Sequence, residues 1–129
     1  MKPSTPQSHR AVAPAPGRTL ARASTRAAEL LDLTQAELAS VLGLSPATVS
    51  RMASGAYLLE PRSKAWELAA LFVRLYRSLD ALVGSNETQA RAWLNGPNLA
   101  LGAAPREMIA RAEGLVRVVH YLDAARGRN

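Results

Sequence analysis

The stretch Gln35-Ala-Glu-Leu-Ala-Ser-Val-Leu-Gly-Leu-Ser-Pro-Ala-Thr-Val-Ser-Arg-Met52 decides the fold of this chain. Two crossing helices joined by a tight turn need apolar residues at the fourth, eighth, tenth, fifteenth and eighteenth positions. They also need a small residue at the fifth and a sharp turn at the ninth. Counted from Gln35, the apolar positions hold Leu38, Leu42, Leu44, Val49 and Met52, the small one Ala39 and the turn Gly43. The flanks agree. Thr34 can cap the amide of Glu37 while Glu37 reaches back, and Leu33 and Leu38 occupy the two hydrophobic staple positions. Gly43 supplies the positive φ that stops the first helix after Leu42. Ser45 then caps a second helix that has Pro46 in its first turn. All seven requirements are met, behind a complete start signal, and together they predict a helix-turn-helix.

In such a motif the second helix lies in the major groove with its N-terminal residues facing base edges. Here that face carries Ser45, Ala47, Thr48, Ser50 and Arg51. Only Arg51 can make the bidentate contact to guanine, whereas Ser and Thr contact bases or phosphates and Ala47 can touch a thymine methyl. Thr48 and Ser50 also suit simple filling of a helix surface. Gln35 opens the preceding helix and is placed to meet a phosphate.

Charge sets a condition on this reading. The chain of 129 residues carries +6, but residues 27–60 hold Glu29, Asp32, Glu37 and Glu60 against Arg51 alone. Phosphate neutralisation supplies most DNA affinity, so a single acidic motif should bind weakly. Binding as a homodimer to two-fold operator DNA is therefore expected. Lys2, Arg10, Arg18, Arg22 and Arg26 would assist, since residues 1–26 contain no acid and four of the eight prolines. Residues 1–18 read as a disordered basic arm, which would be compatible with a solvated tail as well as with a polyanionic partner.

Beyond the arm the chain is rich in Ala, Leu, Arg and Glu, with no alternating run fit for a strand, so an all-α fold is expected. A first helix is predicted over 19–31. The longest is predicted over 62–83, opened by Pro61, with apolar residues at 65, 68, 69, 72, 75, 76, 79, 82 and 83. Its length of roughly 33 Å would join two subdomains or two subunits. A helix over 87–94 follows the Gly84-Ser85-Asn86 break. After an irregular stretch, helices over 105–112 and 115–125 should pivot at Gly114. The domain plan is thus an arm over 1–18, a helix-turn-helix domain over 19–60, a linking helix over 61–84 and a small helical domain over 85–129.

The informative part of the second half is Trp93-Leu-Asn95-Gly-Pro97-Asn98-Leu-Ala-Leu101-Gly102-Ala-Ala-Pro105, then Gly114 and a terminal helix with Leu122 and Gly127. A Trp, a short Asn-rich turn, a Leu-Gly pair, a helix-opening Pro and a Gly before the last helix resemble the C-terminal domain of the Xre/MbcA/ParS antitoxins. With the upstream Xre-like helix-turn-helix, the resemblance spans about residues 27–128. It implies a type II antitoxin that represses its own operon and neutralises a cognate toxin through a toxin-binding domain. The toxin of this family is usually a RES-domain enzyme that consumes NAD or transfers ADP-ribose, and the antitoxin covers its cleft. The resemblance points to Trp93, Asn98, Leu101, Tyr121, Arg126, Arg128 and Asn129 as toxin contacts, with residues 121–129 entering or covering the toxin site. The terminal helix aligns Leu115, Val118, Val119 and Leu122 on one docking stripe, so its polar end would project. A guanidinium there could pair with acids and a terminal carboxylate could mimic phosphate. Trp93 also suits a packing role, Asn98 a turn and Gly114 close helix packing.

Other classes find little support. The absence of cysteine excludes disulfides and thiolate metal sites. No phosphate-cradling glycine loop, nucleophile elbow or metal-binding histidine pair occurs, so no enzyme, metal or cofactor is expected. His120 is a lone histidine and His9 lies in the arm. No apolar run reaches the roughly 20 residues of a membrane span or forms a signal peptide, which points to the cytoplasm. Two alternatives remain open at this stage. One is a stand-alone dimeric repressor whose C-terminal half dimerises or senses a ligand, and the other is a structural adaptor that makes protein contacts alone.

Overall fold

The structure, a computed structural model, describes residues 15–127. Among these residues there are seven helices and no strand: α1 (Pro16–Leu30), α2 (Gln35–Leu42), α3 (Pro46–Ala53), α4 (Lys64–Leu82), α5 (Glu87–Asn95), α6 (Pro105–Met108) and α7 (Ala112–Gly127).

The helix-turn-helix forms as its local chemistry dictates. Thr34 Oγ1 accepts from the Glu37 amide at 3.0 Å, while Glu37 Oε1 accepts from the Thr34 amide at 2.9 Å. Gly43 closes α2 at φ 69°, and Ser45 Oγ accepts from the Thr48 amide at 3.1 Å to start α3. Leu38, Ala39, Leu42, Val49 and Met52 are buried and Leu44 packs against them half-buried, which fulfils the seven-position pattern. Fully burying each such Leu, Val or Met is worth about 1.5–3 kcal/mol in water-to-core transfer.

Three expectations are corrected. The first helix begins at Pro16 rather than residue 19. Proline is already preset for a first helical turn, and Gly17 is held tightly against the backbone of Leu59. Arg18 therefore stands on α1 with Arg22 and Arg26 and not in an arm, while the expected disorder of residues 1–14 lies outside the described residues. The long helix starts at Lys64, because Ser63 Oγ caps the Trp66 amide at 3.1 Å and Arg62 sits in a left-handed turn at φ 68°. At about 28 Å it is shorter than expected, and it links the two halves by packing against both. It packs on α1, α2 and α7 at once, and one continuous core runs from Ala21 through Phe72, Leu75 and Leu79 to Leu122. Finally, Gly114 is not a pivot. It lies inside the first turn of α7, and the break falls earlier, at residues 109–111. A side chain at Gly114 would collide with the Met108 carbonyl, so glycine is needed here for close approach.

One buried group is left over. Ser24 on α1 is fully buried and its hydroxyl has no hydrogen-bond partner. An unmatched hydroxyl costs about 1–3 kcal/mol, and alanine is the better helix former. Ser24→Ala should therefore stabilise the chain by about 1 kcal/mol. A higher urea midpoint at unchanged slope would show it, and a lower midpoint would mean the hydroxyl has a use the packing does not reveal.

Candidate functional site

The recognition helix α3 presents an ordered polar face. Ala47, Ser50 and Arg51 are exposed on it, and Gln35 is exposed at the start of α2. Ser45 and Thr48 are more committed than the sequence implies. Beyond capping, the Ser45 and Thr48 hydroxyls share a 2.9 Å hydrogen bond, and Arg51 Nη2 donates to Thr48 Oγ1 at 3.4 Å. The Arg51 guanidinium also lies 6.0 Å from the centre of the Tyr57 ring, within cation–π reach. Ring and hydroxyl hold the Arg51 guanidinium in place at the surface, so less rotamer freedom would be lost on binding a partner. The arrangement suits readout of a groove by Arg51 with short polar neighbours. Of the basic residues expected to assist, Arg22 and Arg26 are exposed on α1, and Arg26 pairs with Glu29 at 3.3 Å. Arg18 is half-buried, whereas Lys2 and Arg10 lie outside the described residues.

At the opposite end of the chain, α5, α7 and the loop over 96–104 make a second surface. Trp93 on α5 and Tyr121 on α7 are half-buried and stacked, with ring centroids 6.2 Å apart and planes 25° apart. Asn98 shapes the loop, its Oδ1 accepting from the Leu101 amide at 3.1 Å, and Arg117 Nη2 donates to the Leu101 carbonyl at 3.3 Å. Leu101 itself is buried, which corrects its expected role as a contact: it anchors the loop from below. The anchored loop instead displays Leu99, which is 100% exposed. Nothing in the periodicity marked Leu99, although a lone leucine among Asn, Gly and Pro was the available hint.

The end of α7 is also tied down. Asp123 accepts from the Ser78 hydroxyl at 2.9 Å and from Arg74, and Ser78 Oγ in turn accepts from Arg126 Nη1 at 3.1 Å. Burial pushes the Asp123 carboxyl up, but Ser78 and Arg74 outweigh it and hold it below its ordinary value. Arg126 thus leans back on α4 instead of projecting freely, while remaining exposed. Arg128 and Asn129 lie outside the described residues. His120 is exposed, and among the described residues no group of side chains could hold a metal ion and no helix is long and apolar enough to cross a membrane.

Two arginines of the second half grip the first, and sequence reading found neither. Arg91 Nε donates to the Leu30 carbonyl at the end of α1 at 3.1 Å. Arg106 forks onto Glu37, with Nε 2.7 Å from Oε2 and Nη2 2.6 Å from Oε1, and it also reaches Asn95 Oδ1 at 2.8 Å and the Asp32 carbonyl at 2.9 Å. Hydrogen bonds from Arg106 and then from the Thr34 amide overcome burial and lower the Glu37 carboxyl from 4.5 to about 2. A carboxylate depressed on folding stabilises the protein above its unfolded value and ceases to do so as pH falls through its folded value. Glutamine keeps the capping box but cannot titrate. Wild type should therefore be more stable than Glu37→Gln above about pH 4.5, with the gap closing toward pH 2. Denaturant titrations of both chains at several acidic pH values check this, and a constant gap would contradict it.

Residues 10–74 match the antitoxin Xre-like helix-turn-helix domain, and residues 78–128 match the antitoxin Xre/MbcA/ParS C-terminal toxin-binding domain. No curated protein sequence matches the chain. In fold, the chain resembles a chain of the crystal structure of the M. tuberculosis MbcT–MbcA toxin–antitoxin complex. The TM-score is 0.62 at 24% identity, covering 84% of this chain and 95% of that one. The two matched regions, a helix-turn-helix followed by a toxin-binding domain, run in order from residue 10 to residue 128, and the chain belongs to the Xre-like antitoxin family, whose members are regulators and not enzymes.

Proposed function

We propose that this antitoxin neutralises a RES-type toxin, one that consumes NAD or transfers ADP-ribose, by covering its active site, and that as a homodimer it represses its own operon from the cytoplasm. The observation that carries the first half is where the core of α7 stops. Leu122 is the last fully buried residue of α7, so the core is complete before the helix ends. Arg126 is exposed and surrenders a single hydrogen bond to Ser78 on leaving. A guanidinium delivered into a site built around a pyrophosphate can pair with the acids there. The stacked Trp93 and Tyr121, with Leu99 beside Asn98, offer the apolar anchor that interfaces of this kind need at their centre. The second half of the proposal rests on the held Arg51 and its neighbours Gln35, Ala47 and Ser50, with Ser45 and Thr48 supporting them. Co-expression with the product of the neighbouring gene tests the whole. A complex that purifies as one species and suppresses NAD loss is the expected result. A chain that purifies alone beside a harmless neighbour would leave a stand-alone repressor.

A further inference from the structure

The side chains that join the two halves are placed where DNA reading would feel them. The capping box puts the Glu37 carboxylate at the N-terminal end of α2, because its Oε1 accepts from the Thr34 amide. That end, with Gln35, is where a helix-turn-helix meets the phosphate backbone. The box that starts the helix thus sets a negative charge beside the phosphates, in a segment that already carries excess acid. Arg106 meets this charge from the toxin-binding half, 69 residues away in sequence. Its planar fork takes both carboxylate oxygens, and the remaining donors reach the Asp32 carbonyl just before the motif and Asn95 at the end of α5. No other positive side chain touches Glu37 among the described residues.

We infer that Arg106, though it belongs to the toxin-binding half, is a positioning residue for DNA reading: it cancels the Glu37 charge at the phosphate-facing end of α2 and pins that end to the turn at Asp32. This rests on the operator-binding reading above. The DNA-binding module is therefore incomplete without the second half, and residues 19–60 alone lack a charge that the intact chain supplies.

The test uses the full chain and a duplex from upstream of its own gene, with binding followed by fluorescence anisotropy at several salt concentrations. Arg106→Gln should bind about tenfold more weakly, because an uncovered carboxylate now faces phosphate. Adding Glu37→Gln to that variant should restore affinity to within about twofold, since both charges are gone while the cap remains. A merely structural Arg106 would give no such rescue. Should Arg106→Gln fail to fold, Glu37→Gln alone decides: it keeps the cap and leaves Arg106 uncompensated, so binding should tighten about threefold. An Arg106→Gln chain that binds like wild type, a double variant as weak as the single, or a Glu37→Gln chain that binds no tighter would overturn the inference. A wild-type chain that ignores the duplex would overturn the operator reading and this inference with it.

Discussion

Gly114→Ala should unfold the chain at a temperature lower by roughly 10–15 °C, a loss of about 3–4 kcal/mol. A Cβ built on Gly114 would stand 2.0 Å from the Met108 carbonyl oxygen and 2.8 Å from its carbon. Both are backbone atoms, so no rotamer change can relieve the clash and α6 must move off α7. That shift breaks into the packing of Ile109 and Leu115, which are buried on either side of the contact. Overpacking of side chains typically costs about 1–3 kcal/mol, and a clash with main chain belongs at or above the top of that range. Set against the 5–15 kcal/mol of an ordinary domain, the loss is large. Gly127→Ala is the matched control, since nothing lies within 4 Å of a Cβ there, and it should be neutral or slightly stabilising because alanine favours the helix. Thermal unfolding by circular dichroism compares the two. A Gly114→Ala chain as stable as wild type would show that α6 can slide freely, and the close approach would lose its meaning.

The motif was legible because its determinants are local. Thr34 with Glu37, Gly43 after Leu42, and Ser45 with Thr48 interact across three or four residues, and backbone chemistry alone decides them. What was misread depends on contacts distant in sequence. The apolar stripe of α4 is broad because α1 and α2 pack on part of it and α7 on another, and a stripe cannot say how many partners share it. Gly114 was expected to turn the chain, but a glycine demanded by close approach carries the same letter as one demanded by φ. In the loop, Leu101 and Leu99 are indistinguishable by composition. The hydrogen bonds of Leu101, whose amide donates to Asn98 and whose carbonyl accepts from Arg117, decide that Leu101 goes in and Leu99 out. The Arg106 fork had no signal at all, since an arginine after a helix-opening proline ordinarily faces solvent.

Cutting the chain after Asp123 should abolish neutralisation of the toxin while leaving DNA binding within about twofold of wild type. The position of the cut makes the experiment clean. Leu115, Val118, Val119 and Leu122 all remain, and they are the buried residues of α7 that dock on α4. Asp123 also remains, so its hydrogen bonds from Ser78 and Arg74 survive the loss of Arg126. Among the described residues, the cut removes the exposed Ala124, Arg126 and Gly127 and the half-buried Ala125 but no fully buried one, a change of about 1 kcal/mol. The recognition helix α3 lies in the other half, and its supports, Tyr57, Thr48 and the buried Val49 and Met52, all remain. On the proposed function, removing residues 124–129 should therefore separate fold from neutralisation. The measurement pairs growth of cells carrying the toxin with anisotropy of the duplex. Rescue of growth by the shortened chain would place neutralisation on Leu99, Trp93 and Tyr121 alone. Loss of both activities would mean that the last turn of α7 supports the fold more than its exposure implies.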